Sequence, residues 1–339
     1  MKKSIKLLAL LCATLILLAA FASCETKSDN NIETDSQQGS VLDTNLKINV
    51  AVLNGTTGFG AAKMISDSKD GNSSLNYSFT VDTAPANIQA GLINGSIDIA
   101  ALPTNAAAAL YKKSNGAIKI AAVNTLGVLY LMTNGENVTA ISDISGKTVY
   151  CPANNPAYIF EAICRANGLE NGEDYTLQTI AEPADVQKAL ASGEASIAVI
   201  PEPLASAARA ANTSLVTALD LTAEWEKVYG ENTLMQGCIV VRTAWANAHP
   251  KELEKFLEDY KASIEFTNAD PKAASEMIVA ANIFAKAPVA EKAIPKCNIV
   301  YIDGNEMATS LSVFFEKLYA VNPQAVGGAI PDSGIYIEK

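Results

Sequence analysis

Thr83-Ala84-Pro85-Ala86-Asn87-Ile88-Gln89-Ala90-Gly91-Leu92-Ile93-Asn94-Gly95-Ser96-Ile97-Asp98-Ile99-Ala100-Ala101-Leu102-Pro103 is a stretch the chain uses twice. Shifted by 98 positions, it lies without a gap on residues 181–201, AEPADVQKALASGEASIAVIP. Eight positions are identical: Pro85/Pro183, Ala86/Ala184, Gln89/Gln187, Leu92/Leu190, Gly95/Gly193, Ile99/Ile197, Ala100/Ala198 and Pro103/Pro201. Ordinary residue usage gives about two matches in such a window, a little more in an Ala-rich chain. Each copy reads as the same small machine. A proline opens a helix where no backbone donor is needed. Ile88/Leu92 and Val186/Leu190 form an apolar stripe at i, i+4. Gly95 and Gly193 stop the helix. A short apolar strand then ends on a proline that cannot extend a ladder.

Further back, the same offset places the turn Asn54–Phe59 on Pro152–Ala157, matching in pattern more than identity. In both, a strand runs into a small polar turn and then a helix. Any single α/β unit looks like this, but an ungapped register over about 50 residues implies two similar α/β lobes.

Working outward, Met1–Ser23 has the form of an export signal: Lys2, Lys3 and Lys6 precede an uncharged run from Leu7 to Ser23. That run is shorter than the roughly 20 apolar residues of a spanning helix and ends in small residues. Phe21-Ala22-Ser23-Cys24 resembles a lipoprotein processing site, with Cys24 as the acylated residue; two or more acyl chains hold a protein stably on a membrane surface. Residues 24–45 are polar and aperiodic, a tether. Over the whole chain, 49% apolar but only 6% aromatic residues predict an aliphatic core.

Strands are expected near 46–53, 77–81, 118–123, 127–132, 147–151, 175–180, 214–218 and 235–241, the last returning to the first lobe, with helices between them. The rest reads as mainly helical: a helix opening at His249-Pro250, others near 271–284 and 305–319, and an extended 297–302. Trp225 and Tyr229, at i, i+4, read as core.

Much chemistry is missing. The single histidine, His249, sits at a helix start and reads as a cap, and no nucleophile–His pair can be built on it. No His/Cys cluster suits a metal, and there is no phosphate-binding glycine loop. No cofactor is expected. Cys151, Cys164, Cys238 and Cys297 could form one or two disulfides after export or remain buried thiols; spacing does not pair them. Loss of Lys2, Lys3 and Lys6 with the signal takes the net charge from −11 to −14, which disfavours nucleic acid.

In open parallel sheets ligands sit beyond the carboxyl ends of strands. Here those ends are Asn54–Phe59 and Pro103–Asn105 in the first lobe, and Ala153–Ala157 and Pro201–Pro203 in the second; 124–127 and 234–237 fall at the hinge. Four of these turns open helices, whose free N–H groups attract oxygen acceptors. No Lys or Arg lies in them. Glu202 suggests an amine or ring N–H partner, the alternative being a solvated helix-end charge. Phe59 and Tyr158 could stack on a flat ring, the alternative being ordinary packing.

The export-lipoprotein start, the tether, Gly-Ser-Ile-Asp-Ile-Ala-Ala-Leu-Pro (95–103) and Ile-Pro-Glu-Pro-Leu (200–204) together resemble type 2 solute-binding lipoproteins of ABC importers, in the nitrate/sulfonate/taurine and thiamine-pyrimidine precursor branch. The resemblance covers Leu46 to the C-terminus. It implies an α/β, two-lobe periplasmic-binding-protein type 2 fold, each lobe a mostly parallel sheet flanked by helices, joined by two crossing strands. The lobes would be 46–125 with 238–339, and 126–237. It further implies an extracytoplasmic monomer, anchored by lipid, that captures a small solute and delivers it to a membrane permease. Carried over by position, Asn54, Thr56, Thr57, Phe59, Thr104, Asn105, Thr125, Asn154, Asn155, Tyr158, Glu202 and Gln236 would line the ligand site. The other readings are an enzyme of the same fold acting on a small heterocycle, and a surface lipoprotein without transport.

Overall fold

The computed structural model describes residues 41–337. The export segment, Cys24 and the tether up to residue 40 lie outside the described residues. The chain first makes β1 (Lys47–Leu53), α1 (Thr56–Phe59), α2 (Ala62–Lys69), β2 (Asn76–Asp82), α3 (Pro85–Asn94), β3 (Ile99–Pro103), α4 (Thr104–Lys113) and β4 (Ile118–Thr125). It continues with β5 (Leu129–Thr133), β6 (Thr148–Pro152), α5 (Asn155–Ala166), β7 (Thr176–Ile180), α6 (Pro183–Ser192), β8 (Ile197–Pro201), α7 (Leu204–Ala211), β9 (Val216–Asp220) and α8 (Leu221–Tyr229). It closes with β10 (Gly237–Arg242), α9 (Thr243–Ala248), α10 (Pro250–Ala269), α11 (Pro271–Ala280), α12 (Ala287–Ala293), β11 (Ile299–Ile302) and α13 (Gly304–Val321).

The strands form two sheets, ordered β11-β4-β10-β3-β1-β2 and β7-β6-β8-β5-β9. Both follow one plan. β2-β1-β3 and β7-β6-β8 are parallel runs, and each is followed by one antiparallel strand, β10 or β5. That strand is the one delivered by the chain as it crosses from the other lobe: β5 just after β4, and β10 after α8. The crossings are therefore the segments 126–128 and 230–236.

The repeat carries down to backbone detail. α3 and α6 each begin with proline, at Pro85 and Pro183, and each ends on a left-handed glycine, Gly95 at φ 84° and Gly193 at φ 82°. Only a residue without Cβ adopts that conformation at little cost. The turns after β1 and β6 also match. Asn54 N–H donates to the Asp82 carbonyl at 2.9 Å, and Ala153 N–H to the Ile180 carbonyl at 2.8 Å. The residue before each following helix has positive φ, 84° at Gly55 and 66° at Asn154.

Apolar burial divides into three clusters. One covers the face of the first sheet beneath α2, α10 and α11, and a small one covers a face of the second sheet beneath α6 and α7. The largest runs through both sheets and is closed by α13, whose Met307, Leu311, Phe314, Phe315 and Leu318 are completely buried. Their spacing is one helix stripe. α13 packs on α5 and β4, and Phe314 lies against Trp225 of α8.

Several expectations shift. Within 41–45, placed in the tether, two residues hold on to the fold: Leu42 packs on the first-lobe core and Asp43 N–H donates to the buried Glu252 carboxylate at 2.7 Å. The helix expected near 271–284 ends at Ala280, because Asn282 turns left-handed at φ 59°. α9 and α12 are short Ala-rich segments without a clear period. His249 occupies the cap position of α10 but makes no side-chain cap; its ring lies on Trp245, 5.3 Å between centroids. Cys151, Cys164, Cys238 and Cys297 are four free, buried thiols. Trp225 is core, donating from Nε1 to Thr233 Oγ1 at 2.9 Å.

Candidate functional site

The carboxyl ends of β1, β3 and β4 meet the crossing in one hydrogen-bonded hub. Asn124, almost fully buried, donates from Nδ2 to the Thr57 carbonyl at 3.1 Å and to Tyr260 Oη at 2.8 Å, and accepts from Thr125 Oγ1 at 3.1 Å. Gln236 joins the two crossings. Its N–H donates to the Thr125 carbonyl at 3.0 Å, its carbonyl accepts from Thr104 N–H at 3.1 Å, and its Oε1 accepts from Val128 N–H at 2.7 Å. The Val128 carbonyl then accepts from Glu202 N–H at 2.9 Å. Thr57, Thr104, Thr125, Glu202 and Gln236 thus belong to one connected set, with Asn124 as a member the residue types alone did not single out. Its neighbour in sequence, Thr125, carried the polar signal equally well.

Asn154, Asn155 and Tyr158 stand on the next strand end, after β6, which pairs with β8. Thr56 is half-buried in the short α1. Two residues lie elsewhere. Asn54 lines a groove of about 540 Å³ on the β2 side, with Lys69, Phe79, Thr83 and Asn282. Phe59 has no exposed surface and packs edge-on to Phe284 in the first-lobe core, so its ring offers no stacking face here.

Glu202 also differs from expectation. It is only 4% exposed, and both carboxylate oxygens are engaged by Ser206: Oε2 accepts from the backbone N–H at 3.0 Å and Oε1 from the hydroxyl at 2.9 Å. It holds the first turn of α7, as a helix-end carboxylate does, but in the interior rather than in water. Burial raises its pKa above the ordinary carboxylate value, against the opposing pull of Ser206, Lys296 and Arg209. A carboxyl group with a raised folded-state value contributes most below its unfolded value near ~4.3 and loses that contribution as pH rises through the folded value. Glu202→Gln keeps an acceptor for Ser206 and removes the charge. Its melting temperature relative to the parent should therefore be higher at pH 7 than at pH 4; an equal difference at both would show that the carboxylate is not destabilised by burial.

The polar atoms left over are informative. Among the described residues, Arg242 Nε and four oxygens, Thr104 Oγ1, Asn105 Oδ1, Asn155 Oδ1 and Thr222 Oγ1, are buried without a hydrogen-bond partner. Each of the oxygens belongs to the first or second residue of a helix that follows a strand: α4, α5 or α8. Thr104 is fully buried beside the Cys238 thiol, a weak partner whose own pKa burial pushes up to about 12. Leaving such an oxygen unpaired costs ~1–3 kcal/mol. α4 and α5 carry no side-chain cap; of the first-turn donors of α4, Thr104 N–H is already given to the Gln236 carbonyl. Thr222 was missed in the sequence because it follows Asp220, which caps α8 through the Thr222 N–H and reads as an ordinary helix start.

A larger groove, about 990 Å³ and lined by Lys119, Leu253, Leu257, Lys261 and Tyr301 among others, lies by the start of β4, at the opposite end of that strand from the hub.

Two sheets built on one plan, each receiving a strand where the chain crosses from the other, define a two-lobe α/β fold. The family model described as NMT1/THI5 like matches residues 81–274, more than half of the chain, and the protein belongs to that family. Among solved structures, the chain is similar to an ABC transporter from Parabacteroides distasonis, at 26% identity, covering 88% of this chain and 100% of that one, with a TM-score of 0.73. It shares its fold with the periplasmic aliphatic sulphonate binding protein SsuA from Escherichia coli, at 15% identity over 86% and 92% of the two chains, TM-score 0.70. The alkanesulfonate-binding protein SsuA from Xanthomonas axonopodis pv. citri, bound to MOPS, aligns at 12% identity over 86% and 96%, TM-score 0.63. No curated protein matches significantly.

Proposed function

We propose that this protein is the extracytoplasmic receptor of an ABC-type importer, held on the membrane by an acylated Cys24. It would capture a small solute between lobes 46–125 with 238–339 and 126–237 and hand it, as a monomer, to a membrane permease. Family membership, the fold of the sulfonate-binding proteins and the export-type N-terminus support this reading. Among the described residues no helix is long and apolar enough to cross a membrane. The observation that carries the site is the set of unpartnered buried oxygens on Thr104, Asn105 and Asn155, at strand ends of both sheets. A ligand satisfying groups from both lobes favours the closed arrangement by its differential affinity.

The candidate side chains are hydroxyls and amides, without Lys or Arg in the turns, which supports an uncharged solute bearing N–H or O–H groups over a sulfonate. Nothing in the described residues favours the enzyme reading: the single histidine lies on Trp245, near Glu252. The test is a melting-shift screen with cytosine, uracil, taurine, methanesulfonate, nitrate and simple amines. A true ligand at a hundred times its Kd stabilises by ~2.7 kcal/mol. A shift from a pyrimidine and none from the anions is expected. A shift from the sulfonates alone would overturn the ligand class and leave the receptor reading, whereas no shift from a broad metabolite library would count against the receptor itself. Thr104→Val, which keeps the volume and removes the unpaired hydroxyl, should leave the ligand-free stability within about 1 kcal/mol of the parent's or above it and reduce the ligand-induced melting shift.

A further inference from the structure

Two covalent crossings join the lobes, at 126–128 and 230–236, and a third connection stands beside them. The chain between α12 and β11, in the first lobe, turns back onto the crossing. The Lys296 carbonyl accepts a hydrogen bond from Tyr130 Oη on β5, in the second lobe, at 3.1 Å. Two residues on, the Asn298 carbonyl accepts from Leu126 N–H at 3.0 Å, and Asn298 Nδ2 donates to the Gly127 carbonyl at 2.6 Å. Backbone and side chain of one residue thereby grip the linker on both sides of the Leu126–Gly127 pair. Asn298 does this from a left-handed conformation, φ 43°, which asparagine tolerates better than any residue except glycine. Between the two ties Cys297 is completely buried, and α12, just upstream, packs on α7 of the second lobe. The Lys296 ammonium also acts on Glu202 of the second lobe with opposite charge.

We infer that Lys296–Asn298 is a non-covalent third tie between the lobes, and that Tyr130 and Asn298 are positioning residues that set the resting lobe angle. The two crossings carry neither helix nor strand, and the second contains a turn at residues 231–232, so the hinge is the part of the chain least held by the two sheets. Hydrogen bonds from the body of one lobe to a linker and to the other lobe's sheet restrict its bending. The tie therefore fixes how much of the population rests in the arrangement seen here before any ligand binds, and through that fraction scales the apparent affinity.

The experiment needs no ligand, so it can fail while the receptor reading stands, and the reverse. Nitroxides are attached to ketone-bearing unnatural residues at exposed positions Ile93 on α3 and Val216 on β9, one per lobe, leaving every cysteine untouched. The distance distribution is read by pulsed electron resonance on the full chain. Tyr130→Phe keeps the ring and loses one bond. Asn298→Gly keeps the left-handed turn and loses the side-chain bond. Each is expected to shift the ratio of rearranged to resting molecules about fivefold, the equivalent of ~1 kcal/mol per hydrogen bond, and the double variant further. Hydrogen exchange at residues 126–130 should rise in parallel. A double-variant distribution that superimposes on the parent's overturns the inference, even if local exchange rises, since the tie would then be merely local. Should Asn298→Gly not fold, Tyr130→Phe alone decides the matter by the same criterion.

Discussion

Phe314→Ala is expected to destabilise the protein by ~3–5 kcal/mol, the range for deleting a fully buried aromatic ring from a packed core. Phe314 has no exposed surface, and its ring centroid lies 5.8 Å from that of Trp225 and 6.2 Å from that of Phe315. The location makes the loss large. Residues of both sheets share one apolar cluster, which α13 closes, with Trp225 of α8 on one side and strand β4 on the other. A cavity there loosens both lobes at once, and the neighbours on two rigid sheets cannot collapse into it. Against a typical total of ~5–15 kcal/mol, the loss is about a fifth of the whole or more. Urea unfolding followed by tryptophan fluorescence checks it: the parent should unfold in one transition and the variant in one transition at a much lower midpoint. Phe314→Leu, which keeps most of the volume, should cost ~1.5 kcal/mol or less. A loss under ~1 kcal/mol for the alanine variant, or two separate transitions in the parent, would mean that the shared core does not couple the lobes.

The duplicated stretch made this architecture legible. A proline start, an i, i+4 stripe, a glycine stop and an apolar strand are local signals, and α3–β3 and α6–β8 follow them, except that β3 and β8 start one or two residues later than expected and each takes its closing proline into the ladder. The return of the chain at 235–241 was expected as well, and β10 does pair with β3 and β4 of the first sheet. The role of α13 was not. Its apolar stripe announces a buried face, but a stripe does not say what it is buried against, and here the answer is residues far apart in the chain, such as Trp225.

The site divides along the same line. Positions at strand ends could be read from the alternation of strand and helix, so Thr57, Thr104, Thr125 and Gln236 fall in one network. Side-chain direction could not be read. Phe59 points into the core because α1 is a single turn and its last residue faces inward. Glu202 is consumed by Ser206, four residues on, an i, i+4 pairing that only a helix starting at that point creates. Asn124 and Asn298 act through contacts to Tyr260 and to Gly127, both distant in sequence. No local pattern reports such partners.

The crossing itself is tested most sharply at Gly127. Gly127→Ala is expected to destabilise by ~3 kcal/mol or more, beyond the ordinary cost of overpacking. A Cβ at that position would stand 2.2 Å from Thr222 Oγ1, 2.5 Å from Leu234 Cδ2 and 3.0 Å from Thr222 Cβ. Backbone conformation is not the obstacle, since Gly127 is not among the residues of positive φ. The obstacle is that the first linker passes directly over the start of α8 and over the second linker, at a fully buried Leu234. Turning the Thr222 hydroxyl aside leaves Thr222 Cβ at 3.0 Å and Leu234 Cδ2 at 2.5 Å, so the site stays overpacked. Gly135→Ala is the contrast: φ is 82°, nothing lies within 4 Å of the added Cβ, and the expected cost is the ~1–2 kcal/mol of a left-handed alanine. Thr222→Ala in the Gly127→Ala background should recover part of the loss, because the closest contact is gone. The recovery, read as a coupling energy of at least ~0.5 kcal/mol in a double-mutant cycle, isolates the contact from any general weakening. Urea midpoints for the four proteins decide it. If Gly127→Ala costs no more than Gly135→Ala, the linkers have room to part, and the close crossing seen here does not constrain the hinge.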